Sequence, residues 1–96
     1  MTLLGFAQRA GKAASGESAS VANLKKGKAR LVILAEDASE RTRSSFSRLC
    51  DDSGVPCRVF STKQELGLAL GRTPRSIVTI LDSNFGKSIL KELSGE

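Results

Sequence analysis

The chain has 96 residues, 40% of them hydrophobic, enough for one folded domain over 1–96, since chains of this size rarely hold two cores. There is no histidine, the two cysteines have neither metal nor disulfide-framework spacing, and no apolar run approaches the roughly 20 residues of a membrane span, so histidine catalysis, metal centres and a membrane helix are excluded and a cytoplasmic protein without cofactor is expected. The formal charge of +5 sits wholly in the first half: Met1 to Arg48 holds nine Lys/Arg against four Asp/Glu, Leu49 to Glu96 holds six of each, and one face can therefore meet a polyanion.

Leu3, Phe6, Ala7 and Ala10 fall at i, i+3, i+4 and i+7, the apolar stripe of a short first helix that stops before Gly11. Gly11 to Gly16 is a connector with room for a very short strand. A second helix is expected over Glu17–Lys26, with Val21 and Leu24 inward, two lysines suiting its C-terminal dipole and Gly27 at the left-handed stop position. Leu31 to Ala35 is a continuous apolar run too short for a helix, hence a strand buried on both faces. The next helix, Ser39 to Asp52, puts Phe46, Leu49 and Cys50 on one side and Arg41, Arg43, Ser44, Ser47 and Arg48 on the other.

Gly54 breaks that helix, and Val55 to Phe60 returns as a strand with Pro56 near its start, where a missing donor is tolerated. Thr62-x-x-Glu65 is a capping box opening a short helix that buries Leu66, Ala69 and Leu70 and ends at Gly71. Gly67 inside that helix costs about 1 kcal/mol relative to alanine, which points to a close backbone approach. Arg72 to Arg75 forms a basic turn, Ile77 to Leu81 a third clear strand, and a last helix from Ser83 carries Phe85, Ile89, Leu90 and Leu93 inward. Strands separated by helices call for βαβ crossovers with helices on both sheet faces. The fold class is α/β, a three-layer α/β/α sandwich with a small mixed sheet.

Few constellations carry chemistry. Gly5 to Lys12 superficially matches a phosphate-binding loop, but five residues rather than four separate its glycines, Ala13 replaces the metal-binding hydroxyl, and no strand precedes it. Glu36 and Asp37 end the strongest strand, yet adjacent strand residues point to opposite faces, so capping or polar contact suits them better than acid/base catalysis. No catalytic residue and no metal ligand is assigned, and an enzyme is not expected. Tryptophan and tyrosine are absent and all four phenylalanines fall in expected core registers, which argues against base stacking on the sheet and for recognition of structured RNA through loops and helix ends. The junction Lys12 to Ser18 is the best contact candidate: a helix start offers N–H donors to phosphate, with Lys12, Ser15 and Ser18 alongside, although an ordinary cap with a solvated lysine fits the same residues.

Over nearly its whole length the chain resembles the ribosomal protein L-seven-Ae/L-thirty-e superfamily, whose members bind kink-turn RNA, and within it the small bacterial members of the YlxQ type. The residues carrying the resemblance are Leu4-Gly5-Phe6-Ala7-Gln8-Arg9-Ala10-Gly11-Lys12, Ser15-Gly16-Glu17, Leu34-Ala35-Glu36-Asp37-Ala38-Ser39, Leu49-Cys50, Val55-Pro56 and Thr62-Lys63-Gln64-Glu65-Leu66-Gly67-x-Ala69-x-Gly71. The resemblance implies the same sandwich and an RNA surface made of the second helix start, the turn after the first strong strand and the loop before the last strand. Carried onto this chain, and joined with the cations already noted, that surface comprises Lys12, Ser15, Gly16, Glu17, Ser18, Lys25, Lys28, Glu36, Asp37, Arg72, Thr73, Arg75 and Ser76.

Kink-turn binders typically begin the second helix with Gly-x-Asn-Glu-x-x-Lys; here Ser18 keeps a hydrogen-bonding group, whereas Ala19 and Ala22 replace the carboxylate and the ammonium. If each lost base contact costs about 1–3 kcal/mol, by analogy with base readout in DNA, kink-turn affinity falls by orders of magnitude while phosphate contacts survive. The expectation is an RNA-binding, ribosome- or translation-associated protein with weakened or altered kink-turn specificity. The partner is structured RNA, ribosomal RNA among the candidates, with a ribosomal or translation-factor protein as a further candidate and no membrane. The alternative is a protein-interaction module of the same fold that has lost RNA binding.

Overall fold

A computed structural model describes residues 2–95; Met1 and Glu96, the limits of the domain read from the sequence, lie outside them. In chain order the elements are α1 (Thr2–Arg9), β1 (Ala13–Ser15), α2 (Glu17–Lys25), β2 (Leu31–Leu34), α3 (Glu40–Ser53), β3 (Cys57–Val59), α4 (Lys63–Ala69), β4 (Ile77–Ile80) and α5 (Ser83–Leu93). The four strands form one sheet in the order β1-β4-β2-β3. β2 and β3 are parallel, whereas β4 runs antiparallel to both of its neighbours, β1 and β2. The sheet is therefore mixed, and the expected parallel crossover occurs once, through α3.

β2 and β4 are buried along their whole length, as continuous apolar strands between two helix layers must be. On one face Leu31, Ile33, Val78 and Ile80 pack with Leu4 and Ala7 of α1, Leu66 of α4 and Ile89 of α5. On the other, Val32, Leu34 and Ile77 pack with Leu24 of α2 and Phe46 and Cys50 of α3. This is the three-layer α/β/α sandwich.

The helix ends follow local chemistry. Ser39 caps α3, its hydroxyl accepting from the Thr42 N–H at 3.1 Å, and Gly54 ends it in the left-handed conformation (φ 68°). The Thr62–Glu65 capping box forms in both directions: the Glu65 N–H donates to Thr62 Oγ1 and the Thr62 N–H to Glu65 Oε1, each at 3.2 Å. Thr62 Oγ1, at 3.1 Å, and Ser61 Oγ, at 2.8 Å, also donate to the same carboxylate oxygen. These hydrogen bonds, Ser61 first and then Thr62, hold the Glu65 carboxyl below its usual value.

Three expectations need correction. Phe6 is 47% exposed and Ala10 is exposed, because α1 turns Leu4 and Ala7 to the core instead; the Arg9 guanidinium covers the Phe6 ring at 5.0 Å from its centroid. Phe60 is 37% exposed, since β3 is the outermost strand and only one side of it finds a partner. That strand covers only Cys57–Val59 of the expected Val55–Phe60. The two cysteines, whose spacing indicates neither a metal site nor a disulfide framework, pack together in the core: Cys50 is buried, Cys57 is half-buried, and contact with Cys57 followed by burial pushes the Cys50 thiol up.

Candidate nucleic-acid interface

Strand register divides the expected contact residues between the two ends of the sheet. Ser15 pairs with Val78, and Leu34 with Ile77, so the end of β1, the turn after β2 and the loop before β4 share one end. Ala13 and Leu31 both pair with Ile80 at the opposite end. Ser15, Gly16, Glu17, Ser18, Glu36, Asp37, Arg72, Thr73, Arg75 and Ser76 thus gather at the first end. Lys12, which precedes β1, and Lys25 and Lys28, at the finish of α2, stand at the other; α2 alone, nine residues long, separates its ends by about 13 Å.

The first end is built around the start of α2. Gly16 is its N-cap, at φ 97° and ψ 160°, a conformation that side chains rarely adopt, and its N–H donates to the Ile77 carbonyl at 3.1 Å. A glycine cap has no side chain to offer the first turn, so the N–H groups of Glu17, Ser18 and Ala19 keep the donor capacity that other caps consume. Glu17 and Ser18 are exposed; Ala19 and Ala22 are half-buried.

Beside this helix start lies the loop Arg72–Ser76, fixed by contacts on several sides. The Arg72 N–H donates to the Gly67 carbonyl at 2.8 Å and the Arg75 N–H to the Lys63 carbonyl at 3.0 Å. Ser76 offers its carbonyl to the Ala35 N–H at 2.9 Å. The loop crosses directly over Gly67: a Cβ there would sit on the Thr73 carbonyl and 2.9 Å from Pro74 Cα. That is the close approach expected from a glycine inside a helix.

Arg75 joins the loop to the helix start. Its Nε–H donates to Ser15 Oγ at 3.0 Å, and its Nη1 donates to Thr73 Oγ1 at 2.7 Å and to the Thr73 and Pro74 carbonyls at 3.2 and 3.1 Å. Ser15, expected as a ligand contact, is thereby engaged with protein, while Arg72 and Thr73 project from the exposed part of the loop. No sequence signal could have found the Arg75–Ser15 pair, because it spans 60 residues.

The turn after β2 is tied to α4. The Glu36 N–H donates to the Ser61 carbonyl at 2.7 Å, and Asp37 Oδ1 accepts from the Lys63 N–H at 2.8 Å. Asp37 therefore satisfies a first-turn donor of α4, the capping role that its position suggested, while the Glu36 carboxylate stays exposed. Among the described residues no group of three or more His, Cys, Asp or Glu could hold a metal ion, and no helix is long and apolar enough to cross a membrane.

A profile of the ribosomal protein L7Ae/L30e/S12e/Gadd45 family matches residues 1–90. The chain belongs to this family. The RNA-binding protein YlxQ of Enterococcus faecium is 34% identical over 95 residues, covering 99% of this chain and 91% of its own. The protein of the same name from Bacillus subtilis is 33% identical and covers 95% and 91%. The large ribosomal subunit protein eL8 of Cenarchaeum symbiosum is 31% identical over 91% of this chain and 70% of its own. Among solved structures, a Bacillus halodurans protein of unknown function superposes with a TM-score of 0.94 at 30% identity, covering 97% of this chain and 94% of that one. A Giardia lamblia 15.5kD RNA binding protein shares the fold at TM-score 0.84 and 24% identity, over 98% and 83%. The bacterial family membership and the sandwich expected from the sequence are both upheld.

Proposed function

We propose that the chain binds structured RNA through the end of the sheet formed by Gly16–Ser18, Glu36–Asp37 and Arg72–Ser76. The observation that carries this reading is the glycine-capped start of α2, held by Arg75 against a loop that presents Arg72. Such a helix start offers several N–H donors and the positive end of its dipole to phosphate or base acceptors, and the arginines add charge that a phosphate backbone recognises. Relatives named as RNA-binding and ribosomal proteins support it, as does the concentration of the excess charge in the first half of the chain.

Within this reading the protein is ribosome- or translation-associated, acts in the cytoplasm, and has altered kink-turn specificity, because Ala19 and Ala22 offer neither carboxylate nor ammonium where kink-turn binders use both. The same two alanines, together with the exposed apolar side chains Leu68, at 71%, and Phe6, favour a second reading: a protein-interaction module of the same fold.

Binding to a kink-turn RNA, to that RNA with its G·A pairs disrupted, and to a plain RNA duplex, across a salt series, separates the cases. Equal and steeply salt-dependent binding to all three is the expected result and marks phosphate-dominated recognition. Tight binding to the intact kink alone would show that Ser18 and the backbone suffice for specificity. Failure to bind any of them would overturn the RNA reading in favour of a protein partner.

A further inference from the structure

The cations at the far end of the sheet have a distinct setting. Lys25, Lys26, Lys28 and Arg30 fall within six residues, all exposed, and no acidic residue occurs between Ser18 and Ala35. The turn that carries them is fixed: Gly27 is left-handed at φ 71°, the Lys26 and Lys28 N–H groups donate to the Ala22 and Asn23 carbonyls at 3.0 and 2.9 Å, and the Arg30 N–H donates to the Ile80 carbonyl at 2.7 Å. Lys12 reaches the same end through its carbonyl, which accepts from the Leu81 N–H at 2.8 Å.

The negative end of the α2 dipole accounts for Lys25 and Lys26, and Arg30 Nη1 donates to the Gly27 and Ala29 carbonyls at 3.0 and 3.2 Å. Among the described residues, nothing of this kind accounts for the side chains of Lys28 or Lys12. Like charges gathered on a rigid turn repel one another, and a polyanion relieves that repulsion. Among the described residues, the large exposed apolar side chains, Phe6, Val59, Phe60 and Leu68, all lie elsewhere in the chain. Protein interfaces are anchored by such side chains and depleted in lysine, whereas a phosphate backbone is met by lysines as point charges.

We propose that Lys25, Lys26 and Lys28, with Lys12 beside them, form a second phosphate-binding surface for an RNA backbone, so that the protein holds two RNA segments at once. The proposal rests on the RNA reading of the first end. The two surfaces lie at opposite ends of the sheet, separated by the length of α2, about 13 Å, in a molecule measuring 29 × 26 × 25 Å.

The test compares the wild-type protein with Lys25→Gln/Lys26→Gln/Lys28→Gln and with Arg72→Gln, using the kink-turn RNA, the same RNA with its G·A pairs disrupted and a plain RNA duplex, the intact kink-turn and the duplex carrying different fluorophores. For the triple variant, the salt slope of log affinity is expected to become shallower by about 2, three phosphate contacts at roughly 0.7–0.9 each, with the preference between intact and disrupted kinks unchanged. Energy transfer between the two RNAs in a ternary complex should appear with wild type and vanish with the triple variant. A triple variant with the wild-type slope and ternary complex would overturn the second surface and leave the RNA reading standing, provided that Arg72→Gln weakens binding. A wild-type protein that binds neither RNA would overturn the RNA reading itself. Loss of a nuclease-resistant acidic protein by the triple variant, with its RNA slope unchanged, would overturn the proposal in favour of a protein partner.

Discussion

The Arg75 guanidinium donates to Ser15, Thr73 and Pro74, whereas Arg72, three residues earlier in the same loop, lies exposed. Two arginines of like charge and similar sequence setting therefore answer to different tests. Arg75→Ala removes hydrogen bonds from a charged, half-buried donor and should lower stability by about 2 kcal/mol in urea melts. Arg72→Ala should change stability by no more than about 0.5 kcal/mol while weakening RNA binding. Equal stability of the two variants would mean that the Arg75 tie holds nothing together. Glu65 carries a second residue-scale consequence. Its carboxyl is held below the ordinary value of 4.5 in the folded protein, so the unfolded chain binds the proton more readily. The resulting stabilisation is present above the unfolded-state value and is lost as pH falls from there through the depressed one. Glu65→Gln keeps an acceptor in the capping box without the titration, and its acid limb of stability against pH should be flatter than that of wild type. Superimposable limbs would remove Glu65 from the acid response.

At the scale of elements, α4 is the support on which the Arg72–Ser76 loop rests. Alanine ordinarily stabilises a helix interior by about 1 kcal/mol relative to glycine. At position 67 the added methyl meets the backbone of Thr73 and Pro74, which cannot move aside as a flexible side chain would. Gly67→Ala is therefore expected to destabilise by about 1–3 kcal/mol in thermal or urea unfolding, and to weaken RNA binding because the loop shifts away from Gly16. Stabilisation with unchanged RNA affinity would show that the loop yields freely. The position of Gly67 was legible in the sequence because a glycine in a capped helix breaks a local rule. The capping box, the stop at Gly54 and the buried strands Leu31–Leu34 and Ile77–Ile80 were legible for the same reason: spacing and local hydrogen bonding decide them. The facing of α1 was not. Leu3, Leu4, Phe6 and Ala7 admit two apolar stripes, and packing against α4 and α5 selects the one containing Leu4 and Ala7.

For the whole molecule, the layers could be inferred from alternating strands and helices, but the division of the cations between two ends could not. That division comes from strand register and from the return of α2 along the sheet, both tertiary facts. The Arg75–Ser15 and Asp37–Lys63 contacts are of the same kind, joining residues 60 and 26 positions apart. The outer strand β3 has a consequence of another sort. Pro56 accepts from the Val32 N–H and Phe60 donates to the Leu34 carbonyl, so alternate residues of this strand bond inward and those between them face away from the sheet. With Val59 53% exposed beside Phe60, such an edge is a template for stacking one copy on the next. Three features blunt it. The strand is three residues long, Arg58 folds its guanidinium onto the outward Cys57 carbonyl at 2.9 Å, and Ser61, at φ 66°, turns the chain away immediately afterwards. The left-handed serine that begins the approach to α4 thus also cuts short an edge that could otherwise seed fibrous self-association.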